Sequence, residues 1–153
     1  MVMENKFNFS SQICTTREQS ERLLALGLKK ETADMKYLGT SEYYGGVLTE
    51  GTSSLPIIID SEDDDITEYD IPAWSLHRLI EMMPLDVVPE GGFDNVFTLT
   101  KDSIGYSVEY DGFSYYYKEN IYDTIIDGIE HLIKEGYFNK KYLVWKRKAK
   151  FRK

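Results

Sequence analysis

An acidic run at positions 60–65 is the densest group of potential cation ligands in the sequence, with five Asp or Glu residues. Carboxylate oxygens are the ligands that calcium and magnesium prefer. The run does not match a calcium-binding loop, because Asp65 stands where the loop requires glycine and Ile71 stands where it requires a bidentate glutamate. We therefore interpret the run as a solvated acidic loop and predict no metal site.

The other side chains that could do chemistry are two histidines, His77 and His131, and one cysteine, Cys14. They are too few to build a zinc cluster of cysteines and histidines. Cys14 precedes a predicted helix, whose N-terminus would lower the pKa of the thiol, but no local signature supplies the oriented base that a nucleophile needs. Ser75 lacks the glycine flanks of a nucleophile elbow. The sequence predicts no catalytic residue and no cofactor, and an enzyme with carboxylate chemistry is the remote alternative.

Charge is divided unevenly along the chain. The net charge is −8, yet all 26 acidic residues lie in positions 1–139, while positions 140–153 hold eight basic residues and no acid. The acidic part repels nucleic acid and anionic lipid, so contact with a polyanion would have to go through the C-terminal tail. The tail could equally fold back on the acidic part. The candidate polyanion contacts in the tail are Lys146, Arg147, Lys148, Lys150, Arg152 and Lys153.

Tyrosines are concentrated within positions 93–118, where polar and apolar residues alternate. Aromatic side chains on a sheet can stack on nucleic-acid bases, but such platforms lie among basic residues. Here the neighbours include Glu109, Asp111 and Glu119. We therefore interpret the tyrosines as a candidate surface for a protein partner. They are Tyr106, Tyr110, Tyr115, Tyr116 and Tyr117.

The same stretch predicts a sheet. Phe97 and Leu99, and then Tyr106 and Val108, alternate with polar residues, and Asp111-Gly112 is typical of a tight hairpin turn. We predict an antiparallel meander of three or more strands with one buried face.

Positions 29–56 are harder to assign. Their glycines, together with several serines and threonines, indicate a loop, while Glu31–Tyr37 could form one further helical turn. The β-branched run Leu55–Ile59 is typical of a short buried strand.

The first two of three predicted helices start from different caps. Thr15 or Thr16 fits a capping box at the start of the first, and Gly27 fits the left-handed position that ends it. Two leucines, Leu23 and Leu24, are expected to face inward. In the second helix, we expect Asp70 to be the cap, Pro72 to lie in the first turn and Trp74 to be a buried anchor of the apolar stripe.

The last helix is predicted over residues 121–135, between a cap at Asn120 and a stop at Gly136. Its apolar stripe should cover the meander, because a lone sheet and a lone amphipathic helix each leave one face exposed. The predicted fold class is therefore α+β, with an antiparallel meander packed against a C-terminal helix and two further helices in the N-terminal and middle parts.

A length of 153 residues is typical of one domain. We predict a single globular domain over 1–145 and a flexible basic tail over 146–153. One cysteine, no apolar signal segment and no long apolar run favour a cytoplasmic protein that does not contact a membrane.

Three stretches of sequence resemble those of one protein family. They run from Cys14 to Leu28, from Thr32 to Met35 and from Ile71 to Leu76, and the segment Ile129–Phe138 accompanies them. The chain is similar in these stretches to uncharacterised small proteins from gut Bacteroidetes, which are often encoded near phage or other mobile-element genes. The resemblance implies a compartment and a genomic setting, and it assigns no activity and no catalytic residue.

The function that these observations favour is that of a non-enzymatic, protein-binding accessory module of a mobile genetic element. The alternative is a nucleic-acid-associated accessory protein that uses the basic tail, for which we expect only weak and non-specific binding. The sequence leaves the oligomeric state open.

Overall fold

The computed structural model describes residues 11–44, 47–59, 66–84, 86–87, 95–110 and 113–144. The fold is α+β, as predicted from the sequence. Its helices are α1 (Arg17–Ala25), α2 (Leu76–Met82) and α3 (Ile121–Glu135), with single 3-10 turns at Lys30–Thr32 and Lys140–Tyr142. Its strands are β1 (Met35–Tyr44), β2 (Val47–Ile58), β3 (Ile71–Ala73), β4 (Asp86–Val87), β5 (Asn95–Lys101), β6 (Tyr106–Tyr110) and β7 (Phe113–Lys118).

The strands form two antiparallel sheets. The first has the order β2-β1-β3, and the second has the order β4-β5-β6-β7. The meander predicted from the alternating residues is confirmed as β5-β6-β7, in which Val108 lies opposite both Leu99 and Tyr116. The short strand β4 was not predicted.

Helix α3 packs on the meander through its predicted apolar stripe. Ile125, Ile126 and Ile129 are fully buried. Gly128 lies against β6, where its Cβ position is 3.4 Å from Cγ1 of Val108, an ordinary van der Waals distance. The core of the second sheet therefore lies between α3 and β6, as expected. The cap at Asn120 and the stop at left-handed Gly136, with a φ of 79°, are also confirmed.

Helix α1 begins at the predicted capping box. The Thr16 side chain accepts a hydrogen bond from the backbone N–H of Gln19, and the Gln19 side chain accepts one from the backbone N–H of Thr16. Gly27 follows the helix with a φ of 103°, as predicted. Leu23 is buried, but the inward position predicted for Leu24 is wrong, because Leu24 lies on the solvent side of the helix.

The predicted start of α2 is also wrong. Residues 71–73 form β3 and pair with β1, so the helix begins only at Leu76 and is capped by the hydroxyl of Ser75. Pro72 fits this strand because β3 lies at the edge of its sheet, where a missing N–H is tolerated. Asp70 therefore does not cap a helix. Trp74 is fully buried, as predicted, and its indole N–H donates to the hydroxyl of Thr32 over 2.9 Å.

The loop predicted within 29–56 is wrong as well, because β1 and β2 form a long hairpin there. The further helical turn predicted over Glu31–Tyr37 is limited to the 3-10 turn at Lys30–Thr32. β1 requires glycine at position 39 because the backbone carbonyl of Tyr69 occupies the space that a Cβ atom would need. The glycine therefore marks a close approach within the sheet.

Several predictions fall outside the described residues: the acidic run at 60–65, the turn at Asp111-Gly112 and the basic tail at 146–153. Among the helices that the structure describes, none is long and apolar enough to cross a membrane.

Candidate protein-binding surface

Exposed apolar side chains concentrate on the first sheet. Leu55 is 74% exposed and Ile58 is 68% exposed, although the run Leu55–Ile59 was predicted to be buried. The strand prediction for this run is correct, and the burial prediction is wrong because β2 is the outer strand of its sheet. The name "β2 margin" is used below for five exposed residues in or beside this sheet. They are Leu38, Leu55, Ile57, Ile58 and Tyr69.

The pairing register explains why the β2 margin is accessible from two sides. Lys36 lies opposite Ile57, and Met35 lies opposite Ile58. Because directly opposed residues of an antiparallel pair share one face of the sheet, Ile57 and Ile58 lie on opposite faces. Both remain exposed, at 38% and 68%. The C-terminal end of β2 thus presents an isoleucine to solvent on each face.

An irregularity in the hairpin places two more residues in the same region. Tyr37 pairs with Pro56 and Gly39 pairs with Thr52, so three residues of β2, ending at Leu55, lie opposite the single residue Leu38. Such bulges are common at sheet edges and beside functional sites, because they re-aim side chains. Leu38 and Leu55 therefore both lie at this irregularity of the hairpin, close in sequence register to Ile57 and Ile58.

A buried ion pair supports the margin from the side of β3. The Asp70 carboxylate accepts hydrogen bonds from the backbone N–H groups of Gly39, over 2.8 Å, and Thr67, over 3.0 Å. The Lys36 ammonium lies 3.7 Å from the same carboxylate, and both side chains are almost fully buried. Burial alone would raise the pKa of Asp70, but these hydrogen bonds and the charge of Lys36 together lower it below its ordinary value. The ionised carboxylate thereby fixes the segment that carries Tyr69 against β1.

A second anchor holds the end of β2. The backbone N–H of Ile59 donates to the carbonyl of Asp34 over 3.0 Å. The Asp34 carboxylate in turn accepts from the backbone N–H of Ser75 over 2.8 Å and from its hydroxyl over 2.5 Å. Because Ser75 also caps α2, the exposed isoleucines are tied to the start of a helix. The Ser75 hydroxyl has a structural role here.

The cysteine lies in a different environment from the one expected beside a helix N-terminus. Cys14 is buried, and its Sγ lies 3.7 Å from the hydroxyl of Tyr37. Burial raises the pKa of the Cys14 thiol, and burial together with the neighbouring cysteine raises the pKa of Tyr37 to about 12. The expected lowering of the thiol pKa is therefore wrong, and the thiol is protonated at neutral pH.

The histidines and carboxylates of the described residues do not converge on one point. His77 is exposed on α2, with its Nε2 atom 3.3 Å from Glu81, and no group of three or more His, Cys, Asp or Glu side chains in this part of the chain is arranged to hold a metal ion. Two carboxyl groups in the described part of the chain, those of Asp70 and Glu130, are stabilised in their ionised form. Both have a lowered pKa, in Glu130 mainly because Arg22 donates a hydrogen bond to it.

A cleft of about 410 Å³ lies beside α2. Its polar groups bond to one another: the Arg78 guanidinium donates to the carbonyl of Thr32 over 2.9 Å and lies 3.6 Å from Glu81. The residues that line it are Glu31, Thr32, Arg78, Glu81, Met82 and Tyr142. The arrangement stabilises the contact between the 3-10 turn and α2.

The structure places one of the five tyrosines that the sequence grouped as a surface, Tyr110, in the core. Tyr110 is buried, donates to the carbonyl of Pro84 over 2.7 Å and packs 5.8 Å from the ring of Phe97, so it is a core residue. Tyr106 is half-buried beneath the ammonium of Lys101. The other three lie in β7, opposite Val108 and its neighbours, and their side chains are outside the description. The margin on the other sheet was missed, although an apolar run beside an acidic one was a signal for it.

No family model, curated protein or solved structure matches this chain. Its class is that of an α+β protein with two antiparallel sheets, a description that comes from the fold alone. A fold of this class hosts many functions, so function has to be argued from the surface.

Proposed function

We propose that the chain is a small, non-enzymatic protein-binding module whose partner docks on the β2 margin. The observation that carries the proposal is the exposure of Ile57 and Ile58 on opposite faces of an outer strand. The family resemblance of the sequence adds the setting, that of an accessory protein of a mobile genetic element.

The apolar composition of the margin supports a protein partner. Single exposed apolar residues are normal on protein surfaces, but a group of them commonly marks an interaction site. Fully burying one Leu or Ile side chain contributes about 1.5–3 kcal/mol. Leu55 and Ile58 together could therefore supply several kcal/mol of binding energy, before the cost of association is subtracted.

The charge of the sequence that contains the margin indicates which partner segment fits. Positions 37–77, which include the whole first sheet after Lys36, contain no Lys or Arg and nine acids. A basic segment with interspersed apolar residues would be attracted by this field and could bury the margin, because complementary charge steers association and excludes wrong partners. The nine acids are Glu42, Glu50, Asp60, Glu62, Asp63, Asp64, Asp65, Glu68 and Asp70.

The same field argues against nucleic acid at this surface, because the acidic residues repel phosphates. The alternative function, binding of nucleic acid, thus depends on the basic tail alone. Such binding would be governed by salt and would not respond to substitutions of Leu55 or Ile58.

A comparison of matched variants tests the proposal. Leu55→Lys/Ile58→Lys places two charges on the margin, while Ile104→Lys changes an equally exposed isoleucine, at 69%, on the turn between β5 and β6. The tagged full chain and both variants are used to capture partners from the native host, and the affinity of the captured partner is then measured. We expect the double variant to lose at least about tenfold in affinity, or 1.4 kcal/mol, and the control to bind normally. Equal binding by all three folded proteins would reject the margin as the site.

A further inference from the structure

The C-terminal segment 145–153 has the chemistry that suits the β2 margin. It contains six basic residues and no acid, together with two aromatic residues, Trp145 and Phe151. Long basic side chains can pair with carboxylates while aromatic rings cover exposed aliphatic groups. The segment therefore carries both features expected of a partner.

The point where this segment leaves the fold is fixed. The backbone N–H of Val144 donates to the carbonyl of Gly27 over 2.6 Å, and that of Lys29 donates to the carbonyl of Tyr142 over 2.8 Å. Leu143 also forms a bridge with Leu28. The tail thus starts beside the residues that follow α1.

A path of backbone and side-chain contacts connects that point with the margin. Lys30 donates its ammonium to the carbonyl of Ile66 over 3.2 Å, and the carbonyl of Asp34 accepts from Ile59, the neighbour of Ile58. Six residues lie between Gly27 and Asp34, and they include a 3-10 turn that shortens the path. Nine extended residues span roughly 30 Å, which sets the reach of the tail along this path.

We propose that the segment 145–153 docks on the β2 margin of its own chain and competes there with the partner. The competition rests on the proposed function, because it requires a partner that binds the margin. The docking itself can be tested without a partner. A tethered segment has an effective concentration on the order of millimolar. Moderate intrinsic affinity is therefore enough for it to occupy the margin, and an incoming partner segment has to displace it.

Salt dependence and location are the first test of docking. In the tail-neutral variant, the six basic residues of the full chain are replaced: Lys146→Gln, Arg147→Gln, Lys148→Gln, Lys150→Gln, Arg152→Gln and Lys153→Gln. Amide chemical shifts of Ile57 and Ile58 are compared with those of Ile104 by two-dimensional NMR. We expect the two margin amides to shift in the variant and on addition of salt to the unaltered chain, because the distance beyond which exposed charges are screened falls from about 8 Å at 0.15 M to about 3 Å at 1 M. Unchanged margin amides would overturn the inference.

A labelled synthetic peptide with the sequence of residues 145–153 provides the second test. Its affinity for the tail-neutral variant should be about tenfold higher than for the unaltered chain. This factor is the ratio of an effective tail concentration on the order of 1 mM to a dissociation constant of the tail segment on the order of 0.1 mM. Leu55→Lys/Ile58→Lys in the tail-neutral background should abolish this binding, and Ile104→Lys should leave it unchanged. Equal affinity for the tail-neutral and unaltered chains, or no binding to either, would contradict docking of the tail.

The two tests separate this inference from the proposed function. If the tail does not dock but the captured partner still distinguishes Leu55→Lys/Ile58→Lys from Ile104→Lys, only the regulation by the tail is wrong. If the margin amides shift with protein concentration, the tail docks on a second copy and the intramolecular proposal is overturned. If the tail docks but the partner ignores the margin, the proposed function fails.

Discussion

Gly39 donates its backbone N–H to the Asp70 carboxylate over 2.8 Å, and this bond joins the middle of β1 to the segment before β3. The carboxylate also lies 3.7 Å from the buried ammonium of Lys36. One aspartate thus holds two strands together and positions Tyr69 at the β2 margin. The sheet that carries the proposed binding surface depends on a buried charge as well as on apolar packing.

Replacement of Asp70 should therefore be costly. Asp70→Ala removes the carboxylate beside a buried ammonium, a change that typically costs about 3–5 kcal/mol. Urea unfolding at pH 7 measures the loss, and Glu68→Ala, two residues away on an exposed position, is the matched control. A loss below about 1 kcal/mol would show that the ion pair does not stabilise the sheet.

The lowered pKa of Asp70 predicts how the free energy of unfolding changes with pH. Because folding lowers the pKa of Asp70 below its ordinary value of 3.8, its contribution to stability is fully present well above pH 4 and is lost as the pH falls through the folded-state pKa. The free energy of unfolding should decline more steeply below pH 4 in the unaltered chain than in Asp70→Asn. Parallel pH profiles for the two proteins would contradict the assignment.

The meander and α3 should form the main source of stability. Ile129 is fully buried between them, so Ile129→Ala should reduce the free energy of unfolding by about 2–5 kcal/mol. Ile104→Ala provides the control, because that side chain is largely exposed. Chemical denaturation gives both values, and a loss below about 0.5 kcal/mol for Ile129→Ala would mean that this face of α3 is not buried.

The tyrosine-rich sheet and α3 were predictable from sequence because their signals are local. Asn120 and Gly136 mark the ends of the helix through the chemistry of their own positions, and alternation defines β5 to β7 without reference to distant residues. The first sheet depends on contacts that no local pattern shows. Gly39 indicates a loop unless the close approach of the Tyr69 backbone is known. The apolar residues at 71–74 have the spacing of a helix, but residues 71–73 form a strand because β1 pairs with them.

The candidate surface was missed for a related reason. An apolar run such as Leu55–Ile59 is typical of a buried strand, and its exposure follows only from the position of β2 at the edge of the sheet. The tyrosines misled in the opposite direction, because Tyr110 was predicted to lie on a partner surface and is buried in the core. Sequence patterns indicate which residues form strands, but the order of strands in a sheet decides which strand lies at its edge.

Binding of the tail to nucleic acid should be weak and should depend strongly on salt. The acidic part of the chain repels phosphates, so we expect a dissociation constant at or above roughly 10⁻⁵ M for generic duplex DNA near physiological salt. The tail-neutral variant should lose this binding and keep its folded spectrum. Fluorescence anisotropy over a salt series measures it, and sub-micromolar, sequence-selective binding would favour the nucleic-acid alternative instead.

The burial of Trp74 can be checked independently of any ligand. Its indole is fully buried and donates to Thr32 over 2.9 Å, so in a Trp145→Phe background its emission should be blue-shifted relative to the unfolded protein. An emission maximum like that of a solvent-exposed indole would show that Trp74 is not buried at the junction between β3 and α2. The contacts that support the β2 margin would then also be in doubt.

Amide hydrogen exchange of the full chain, free and bound to its captured partner, tests the central claim most directly. Binding at the β2 margin should slow the exchange of Leu55, Ile57 and Ile58 at the end of β2, because the partner removes these amides from water or suppresses local opening. Residues of β5 and β6 should exchange at unchanged rates. Protection confined to β5 and β6, with no change at Ile57 and Ile58, would contradict the account.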